Sequence, residues 1–361
     1  MDNKDFHTEF HKTLLKQNKS TYFGLSKSKK MQKILLLRFS SIGDIVLTSP
    51  VVRCLKTQLE AVEIHYLTKK PFASILEANP YIDKVYTFDK VAQPLKEVVK
   101  KLQKEQYDIV VDLHKNFRSW YVSKKLGVHT LTFKKLNPQK WLLTQFKINW
   151  MPEVHIVDRY LDTVLSLNVK NDGKGLDYSI PSADYINPSS IDSRLKNRQY
   201  LVFVIGAAHA TKRLPPSKIK AICSLLTEEL IVLVGGKGDV EAAKLIETAG
   251  PQLINTCGQF NLHQSASIVD QARLVIAHDT GFMHIAAALK RPIVSIWGNT
   301  VPQFGMYPYF PAELSNFSII EQPNLACRPC SKIGYPKCPK GHFNCMNQLE
   351  ETAIVKTIQA F

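Results

Sequence analysis

Long apolar runs are missing from this 361-residue chain. None approaches the roughly 18–20 residues that cross a bilayer, and the longest, near Leu201–Ile205 and Ile231–Val234, are strand-sized. Cysteine is scarce: seven residues are too few for a disulfide-stapled scaffold. A membrane-spanning or disulfide-rich secreted protein is therefore not expected. The signatures HExxH, GxSxG, Walker A and GxGxxG do not occur, which argues against the enzyme classes that need them. Acidic residues are outnumbered, 31 Asp+Glu against 47 Lys+Arg, leaving a formal charge of +16. Such an excess suits nucleic acid, an anionic membrane face or phosphorylated small molecules.

What remains is a globular composition, 45% hydrophobic and 22% charged. The length exceeds the roughly 250–300 residues at which single cores stop growing, so two domains are expected. Residues 1–30 carry seven Lys against Asp2, Asp5 and Glu9 and lack the apolar core of a signal peptide. They read as a disordered or loosely helical basic leader. A start at Met31 or a membrane-surface role for the leader are the alternatives.

From Lys33 onward strand-like and helix-like segments alternate. Ile34–Leu37 is a continuous apolar run, as in a strand buried on both faces. Leu47, Val51, Leu55 and Leu59 recur every four residues, a helical stripe. Ser49 before Pro50 suits an N-cap followed by Pro at N1, with a start nearer Asp44 as the alternative. Strands are expected at Glu63–Leu67, Lys84–Phe88 and Asp108–Asp112, and a helix at Leu95–Gln103. The rhythm restarts after residue 195, with strands at Tyr200–Ile205, Leu230–Val234, Leu274–Ala277 and Ile293–Ile296. Helices are expected between them at Pro216–Leu226, Asp239–Ala249 and Phe282–Leu289, and Pro181–Pro188 reads as a linker. The pattern predicts an α/β protein of two doubly wound, parallel-sheet domains facing a central cleft.

Ligands of such sheets bind at the carboxyl ends of the strands, so the loops there carry the chemistry. Gly43-Asp44 places a carboxylate on a glycine turn, which suits a general base, although Asp is also favoured at helix starts. The loop Gly206–Arg213 ends in two adjacent cations, Lys212 and Arg213, able to hold phosphate oxygens or to form a solvated basic turn. Gly235-Gly236-Lys237-Gly238-Asp239 is a glycine-rich turn opening a helix, either facing an anion or ribose or serving as an ordinary turn. In His278–His284, the amides of Thr280 and Gly281 would point at a bound anion, with His284 one turn further on. A capping Asp279 with a core histidine is the alternative. Lysines are scattered rather than gathered on a basic helix with an aromatic platform, so no nucleic-acid partner is expected.

Taken in order, these loops resemble glycosyltransferase family 9, the ADP-heptose:lipopolysaccharide heptosyltransferases, from about Met31 to the C-terminus. The resemblance rests chiefly on Arg38-Phe39-Ser40-Ser41-Ile42-Gly43-Asp44-Ile45-Val46-Leu47-Thr48-Ser49-Pro50 and on Asp279-Thr280-Gly281-Phe282-Met283-His284-Ile285-Ala286. Lys212-Arg213-Leu214-Pro215 resembles the family's Lys-Arg-Trp-Pro, with Leu in place of Trp. Asp239 stands where the family's ribose-contacting Glu is expected, one methylene shorter. Asp112–Ser119 resembles the segment facing the acceptor.

The resemblance implies a GT-B fold of two Rossmann-like domains and an inverting, metal-independent glycosyl transfer. It implies an acceptor-binding domain over 31–180 and a nucleotide-sugar-binding domain over 195–345. A C-terminal helix within 346–361 is expected to pack back toward the N-terminal domain. Asp44 would be the general base. Thr211, Lys212, Arg213, Asp239, Asp279, Thr280, Gly281 and His284 would hold the donor, with the cations and His284 taking up diphosphate charge. Ser41, Gly43, Lys115, Asn116 and Arg118 would meet the acceptor. No cofactor or metal is expected beyond the donor substrate, an ADP-sugar such as ADP-L-glycero-D-manno-heptose. The acceptor would be a lipid-linked lipopolysaccharide core or lipid A-Kdo, and the alternative is a GT-B transferase for another nucleotide sugar or acceptor. Lys115 and Arg118, with Lys69 and Lys70, would face that acceptor on the anionic inner leaflet. This implies a cytoplasmic enzyme in transient electrostatic contact with the inner membrane surface.

Four of the cysteines cluster as Cys327-x2-Cys330-x7-Cys338-x6-Cys345, in a segment stiffened by Pro329, Pro336 and Pro339. The spacing admits reduced structural thiols, structural zinc or disulfides.

Overall fold

The apolar run at Ile34–Leu37 forms the middle of the first of two sheets. The computed structural model describes residues 31–361 apart from Lys90 and Ser315. The basic leader expected over residues 1–30 lies outside the described residues. From β1 (Gln32–Leu37) the chain passes through α1 (Ile42–Val46) and α2 (Ser49–Gln58) to β2 (Val62–Lys69). There follow α3 (Ala73–Glu77), β3 (Lys84–Phe88), α4 (Leu95–Lys104), β4 (Ile109–Asp112), α5 (Phe117–Leu126) and β5 (His129–Thr132). The strands pair in parallel in the order β3-β2-β1-β4-β5.

Helices α6 (Asn137–Phe146), α7 (Ile156–Leu161) and the single turn α8 (Pro188–Ile191) carry the chain across. The second sheet is built by β6 (Leu201–Val204), α9 (Pro216–Ser224), β7 (Ile231–Val234), α10 (Val240–Glu247) and β8 (Leu253–Asn255). It continues with α11 (Leu262–Asp270), β9 (Leu274–His278), α12 (Gly281–Ala288), β10 (Ile293–Trp297) and β11 (Phe317–Glu321). Its order is β11-β10-β9-β6-β7-β8, again all parallel. Helices α13 (Asn344–Asn347) and α14 (Glu351–Gln359) close the chain. These are two Rossmann-like α/β domains of the GT-B kind.

Side chains on alternate strand positions explain the continuous apolar runs. Ile34 and Leu36 of β1 join the large central core, while Leu35 and Leu37 join the core on the other face. Val202 and Val204 of β6 and Val232 and Val234 of β7 point into the same central core. Leu201, Phe203, Ile231 and Leu233 point away, into a third cluster. The central core thus runs without interruption from one sheet to the other.

Two expectations change. The C-terminal helix does not return to the N-terminal domain. Ile354, Val355 and Ile358 of α14 fill the outer core of the second sheet together with Ile219 and Ile222 of α9. Lys218 of α9 secures the junction, donating to the Leu349 carbonyl at 2.7 Å and pairing with Glu351 at 2.6 Å. The apolar stripe of α14 is satisfied by its own domain. The expected linker is docked as well: Tyr185 donates to Asp270 at 2.7 Å, and the Ile186 amide donates to Ser267 Oγ at 3.1 Å, both against α11.

The domains touch most closely where α1 meets α12. Gly43 and Gly281 lie face to face, both without side chains. A Cβ on Gly43 would stand 2.6 Å from His284 Cδ2 and 3.3 Å from Gly281 Cα. A Cβ on Gly281 would stand 2.8 Å from Ile42 Cγ2 and 3.2 Å from the Gly43 nitrogen. Such overlap with backbone cannot be relieved by a rotamer change. Gly281→Ala is expected to destabilise the fold by about 1–3 kcal/mol, read from the urea midpoint. A change below about 0.5 kcal/mol would show that the two helix starts can slide apart freely.

Candidate active site

The turn after β1 builds its geometry around one ion pair. Arg38 emerges from the strand nearly buried, and all its nitrogens are used. Nε donates to the Ser40 carbonyl at 2.9 Å, and Nη1 donates to the Leu113 carbonyl at 2.7 Å and to Tyr160 Oη at 3.0 Å. Nη2 meets Asp44 Oδ1 at 2.6 Å. The other Asp44 oxygen accepts from the Ser41 amide at 3.1 Å and from Ser41 Oγ at 2.8 Å. Asp44 is therefore both a helix-start carboxylate and an oriented, partly exposed one. Burial works to raise its pKa, but the Arg38 charge and the Ser41 hydrogen bonds outweigh it and hold the carboxyl below its ordinary value.

The loops of the second domain pair their charges with one another. Lys212 Nζ lies 2.6 Å from Asp279 Oδ2, which also accepts from Thr300 Oγ1 at 2.8 Å. Arg213 Nη1 lies 2.8 Å from Asp239 Oδ1, and its Nε donates to the Ala207 carbonyl at 2.8 Å. Asp239 Oδ2 accepts from the Gly236 amide at 2.9 Å. It also fills the space beside Gly206, where a Cβ would stand 2.4 Å from it. Four of the expected donor-loop residues thus meet as two ion pairs. Behind them, His278 is a core residue whose Nε2 accepts from the Leu214 amide at 3.0 Å.

Helix α12 begins at the domain contact. Thr280 is its N-cap, and among the described residues its Oγ1 has no hydrogen-bond partner although buried. His284 is 2% exposed, and its Nδ1 is also unpartnered. Burial pushes its pKa down to about 4, so at neutral pH it is uncharged. The expected positive contribution of His284 is absent here; it brings a neutral imidazole beside Gly43.

Several other expected contacts are engaged elsewhere. Thr211 is 2% exposed, and its hydroxyl donates to the Tyr335 carbonyl at 3.1 Å and accepts from the Tyr335 amide at 2.8 Å. It clamps the cysteine-rich segment rather than facing the cleft. Gly43 is buried against α12, which leaves it no surface for an acceptor. Asn116 caps α5, accepting from the Ser119 amide at 3.0 Å. Lys115 Nζ donates to the Phe133 carbonyl at 3.2 Å, and Arg118 is exposed on the first turn of α5. Lys115 and Asn116 line an open groove of about 860 Å³ beside α5 and β5. All seven cysteines are free thiols, and among the described residues no cluster of three or more His, Cys, Asp or Glu is arranged to hold a metal.

The structure adds residues that the sequence did not single out. The Asp44 carboxylate acts electrostatically on Lys135 and Lys140, as it does on His114 and the expected His284. Burial, followed by Arg159, pushes Lys140 down to about 8. Lys140 also lies 6.0 Å from the Phe304 ring centroid, and Arg159 Nη2 donates to the Phe304 carbonyl at 3.1 Å. Asn299 is 2% exposed, and both of its amide atoms are unpartnered among the described residues. Arg38 had a signal, a cation at a strand end six residues before an Asp. Lys140 and Asn299 had none, because tertiary packing brings them in.

The family model for glycosyltransferase family 9 (heptosyltransferase) matches residues 95–335. Lipopolysaccharide heptosyltransferase 1 of Campylobacter coli is 27% identical over 289 residues, covering 74% of this chain and 84% of that protein. The crystal structure of a family 9 glycosyl transferase from Veillonella parvula superposes with a TM-score of 0.73 at 21% identity, over 93% of this chain and 98% of that one. The structure of E. coli ADP-heptose lps heptosyltransferase II gives 0.68 at 18% identity, over 91% and 98%. These likenesses agree with the two-domain fold.

The Arg38–Asp44 pair has a measurable signature. Because the carboxyl is depressed in the fold, it adds stability at neutral pH that is lost as pH falls through the folded value. Arg38→Gln removes the dominant opposing charge and leaves burial in control. The Asp44 pKa is expected to rise, and carboxyl NMR titration checks it. An unchanged value would mean that Ser41 alone sets it.

Proposed function

Since the chain belongs to glycosyltransferase family 9 and is a glycosyltransferase, we propose that it moves a heptosyl group from ADP-heptose to a lipopolysaccharide core acceptor. Transfer goes with inversion and without a metal ion, and Asp44 is the general base. The observation that carries this reading is the meeting of α1 and α12. It sets an ionised, oriented carboxylate beside the helix start whose Thr280 and Gly281 would face a diphosphate. The names of the relatives in Campylobacter coli and E. coli support the sugar and the acceptor class.

In this reaction the acceptor hydroxyl attacks the anomeric carbon, and the bond from that carbon to the ADP oxygen breaks on the opposite face. The acceptor proton passes to Asp44. A carboxylate held at low pKa is a weak base, so the proton leaves late, once carbon–oxygen bonding has made the hydroxyl acidic. As Asp44 becomes neutral, its pairing with Arg38 weakens.

The charge growing on the departing diphosphate is met by Lys212, Arg213 and the amides of Thr280 and Gly281. Lys212 and Arg213 are paired with Asp279 and Asp239 in the free protein. Donor binding therefore shares or displaces existing ion pairs, and net attraction is smaller than two free cations would give. Asp239 contacts the ribose, with Arg213 fixing its orientation. Lys140, near Asp44, carries charge for an anionic acceptor group below about pH 8. An acceptor held by lipid also brings the enzyme to the inner membrane surface from the cytoplasm.

Asp44→Asn keeps shape and removes the base, so kcat is expected to fall about 10²–10⁴-fold while donor affinity survives. Near-normal turnover would end the assignment. Lys212→Ala should weaken ADP-sugar binding in calorimetry, and an unchanged affinity would remove Lys212 from the donor site. Turnover with ADP-, UDP- and GDP-sugars, read by product mass, identifies sugar and acceptor together.

A further inference from the structure

Between Asp112 and Glu153 the chain has no acidic residue. These 40 positions hold eight bases: Lys115, Arg118, Lys124, Lys125, Lys134, Lys135, Lys140 and Lys147. Half of the net charge of +16 is therefore carried by about a ninth of the chain. The same stretch carries the most exposed aromatic rings among the described residues. Phe117 is 79% exposed and Trp120 52%, stacked at 5.5 Å on α5. On α6 and just after it, Trp141 is 55% exposed, Phe146 58% and Trp150 69%, joined by Ile148 at 44%. Three of the four tryptophans lie here, and the fourth, Trp297, is buried.

The two groups are tied together at their starts. Lys135 donates to the His114 and Lys115 carbonyls at 3.2 and 3.1 Å, and Lys115 donates back to the Phe133 carbonyl. Below the surface α6 is anchored: Leu143 packs with Met151, Val301 and Phe304. The end of α6 and the residues after it, Gln145 to Trp150, are all exposed. Burial would be the usual fate of so many large apolar groups, and contiguous exposed ones mark an interaction surface.

We propose that this stretch docks on an anionic lipid bilayer, with Trp141, Phe146, Ile148 and Trp150 entering the headgroup region and the surrounding lysines meeting acidic headgroups. Trp rings suit that level because one edge is apolar and the other polar. Unrelieved positive charge supplies complementarity to an anionic leaflet. The binding is more than the transient electrostatic contact that charge alone implies, because apolar insertion survives salt. It rests on the reading of a lipid-linked acceptor only for its purpose.

The full chain is sedimented with phosphatidylethanolamine/phosphatidylglycerol vesicles and with phosphatidylcholine vesicles, without donor or acceptor. Binding to the anionic vesicles is expected, with a blue shift of tryptophan emission and quenching by brominated lipid. Trp141→Ser with Trp150→Ser should weaken vesicle binding about tenfold. Lys134→Gln should weaken it less and reduce its salt dependence. Transfer to a soluble, delipidated acceptor stays unchanged in the tryptophan variant, whereas transfer to vesicle-embedded acceptor falls. Loss of transfer activity altogether, with vesicle binding intact, would strike the proposed reaction and leave this surface standing. No vesicle binding at low salt, or binding abolished by about 0.5 M salt without any emission shift, would overturn insertion. Preferential retention on single-stranded nucleic acid over vesicles would also overturn it, since stacked aromatics among bases serve that partner too.

Discussion

The contact of Gly43 with Gly281 sets where the residues of the candidate site lie. Two helix starts, one from each domain, approach until a single methyl group on either would overlap the other's backbone or side chains. Because both positions lack side chains, Asp44 on α1 and Thr280 and His284 on α12 fall within one small region. Without this approach, Asp44 and the start of α12 would belong to separate surfaces. The same closeness buries His284, and burial lowers its pKa.

Three ion pairs give the site a common logic. Arg38 with Asp44, Lys212 with Asp279 and Arg213 with Asp239 each join a cation to a carboxylate at 2.6–2.8 Å. The pairing orients long side chains before any substrate arrives and keeps the partly buried charges neutral overall. It also holds the Asp44 carboxyl below its ordinary pKa. Positive charge without an acidic counterpart gathers instead along the acid-free stretch from residue 113 to 152.

Much of this was legible in the sequence, for identifiable reasons. Runs such as Ile34–Leu37 and Ile231–Val234 have no polar face, so only a doubly covered strand accommodates them. Of the four edge strands, β3 was expected at Lys84–Phe88, whereas β5, β8 and β11 were not found. β5 reads His-Thr-Leu-Thr and β8 is three residues long, too short and too polar for periodicity to reveal. At the site, Asp44, Lys212, Arg213, Asp239 and Asp279 were visible as charges on strand-end loops. Thr211 and Gly43 were legible only as members of a pattern, and their contacts with Tyr335 and His284 come from distant segments. The docking of α14 was misjudged because its apolar stripe says that it packs, not on what. Exposed aromatics were invisible for a similar reason, since composition cannot tell a buried Trp297 from an outward Trp150.

The central core, which includes Ile34 and Tyr66 from one sheet and Val202 and Trp297 from the other, has a consequence for how such a chain can change. The two Rossmann-like halves look like interchangeable modules, each with its own sheet and strand-end loops. Their shared interior makes them a matched set. A recombination event that brought in the second half from a relative would also bring in its version of α12. It would succeed only where that helix start left room for Gly43. Inheritance of the two halves as a unit is thus written into a few ångströms of packing.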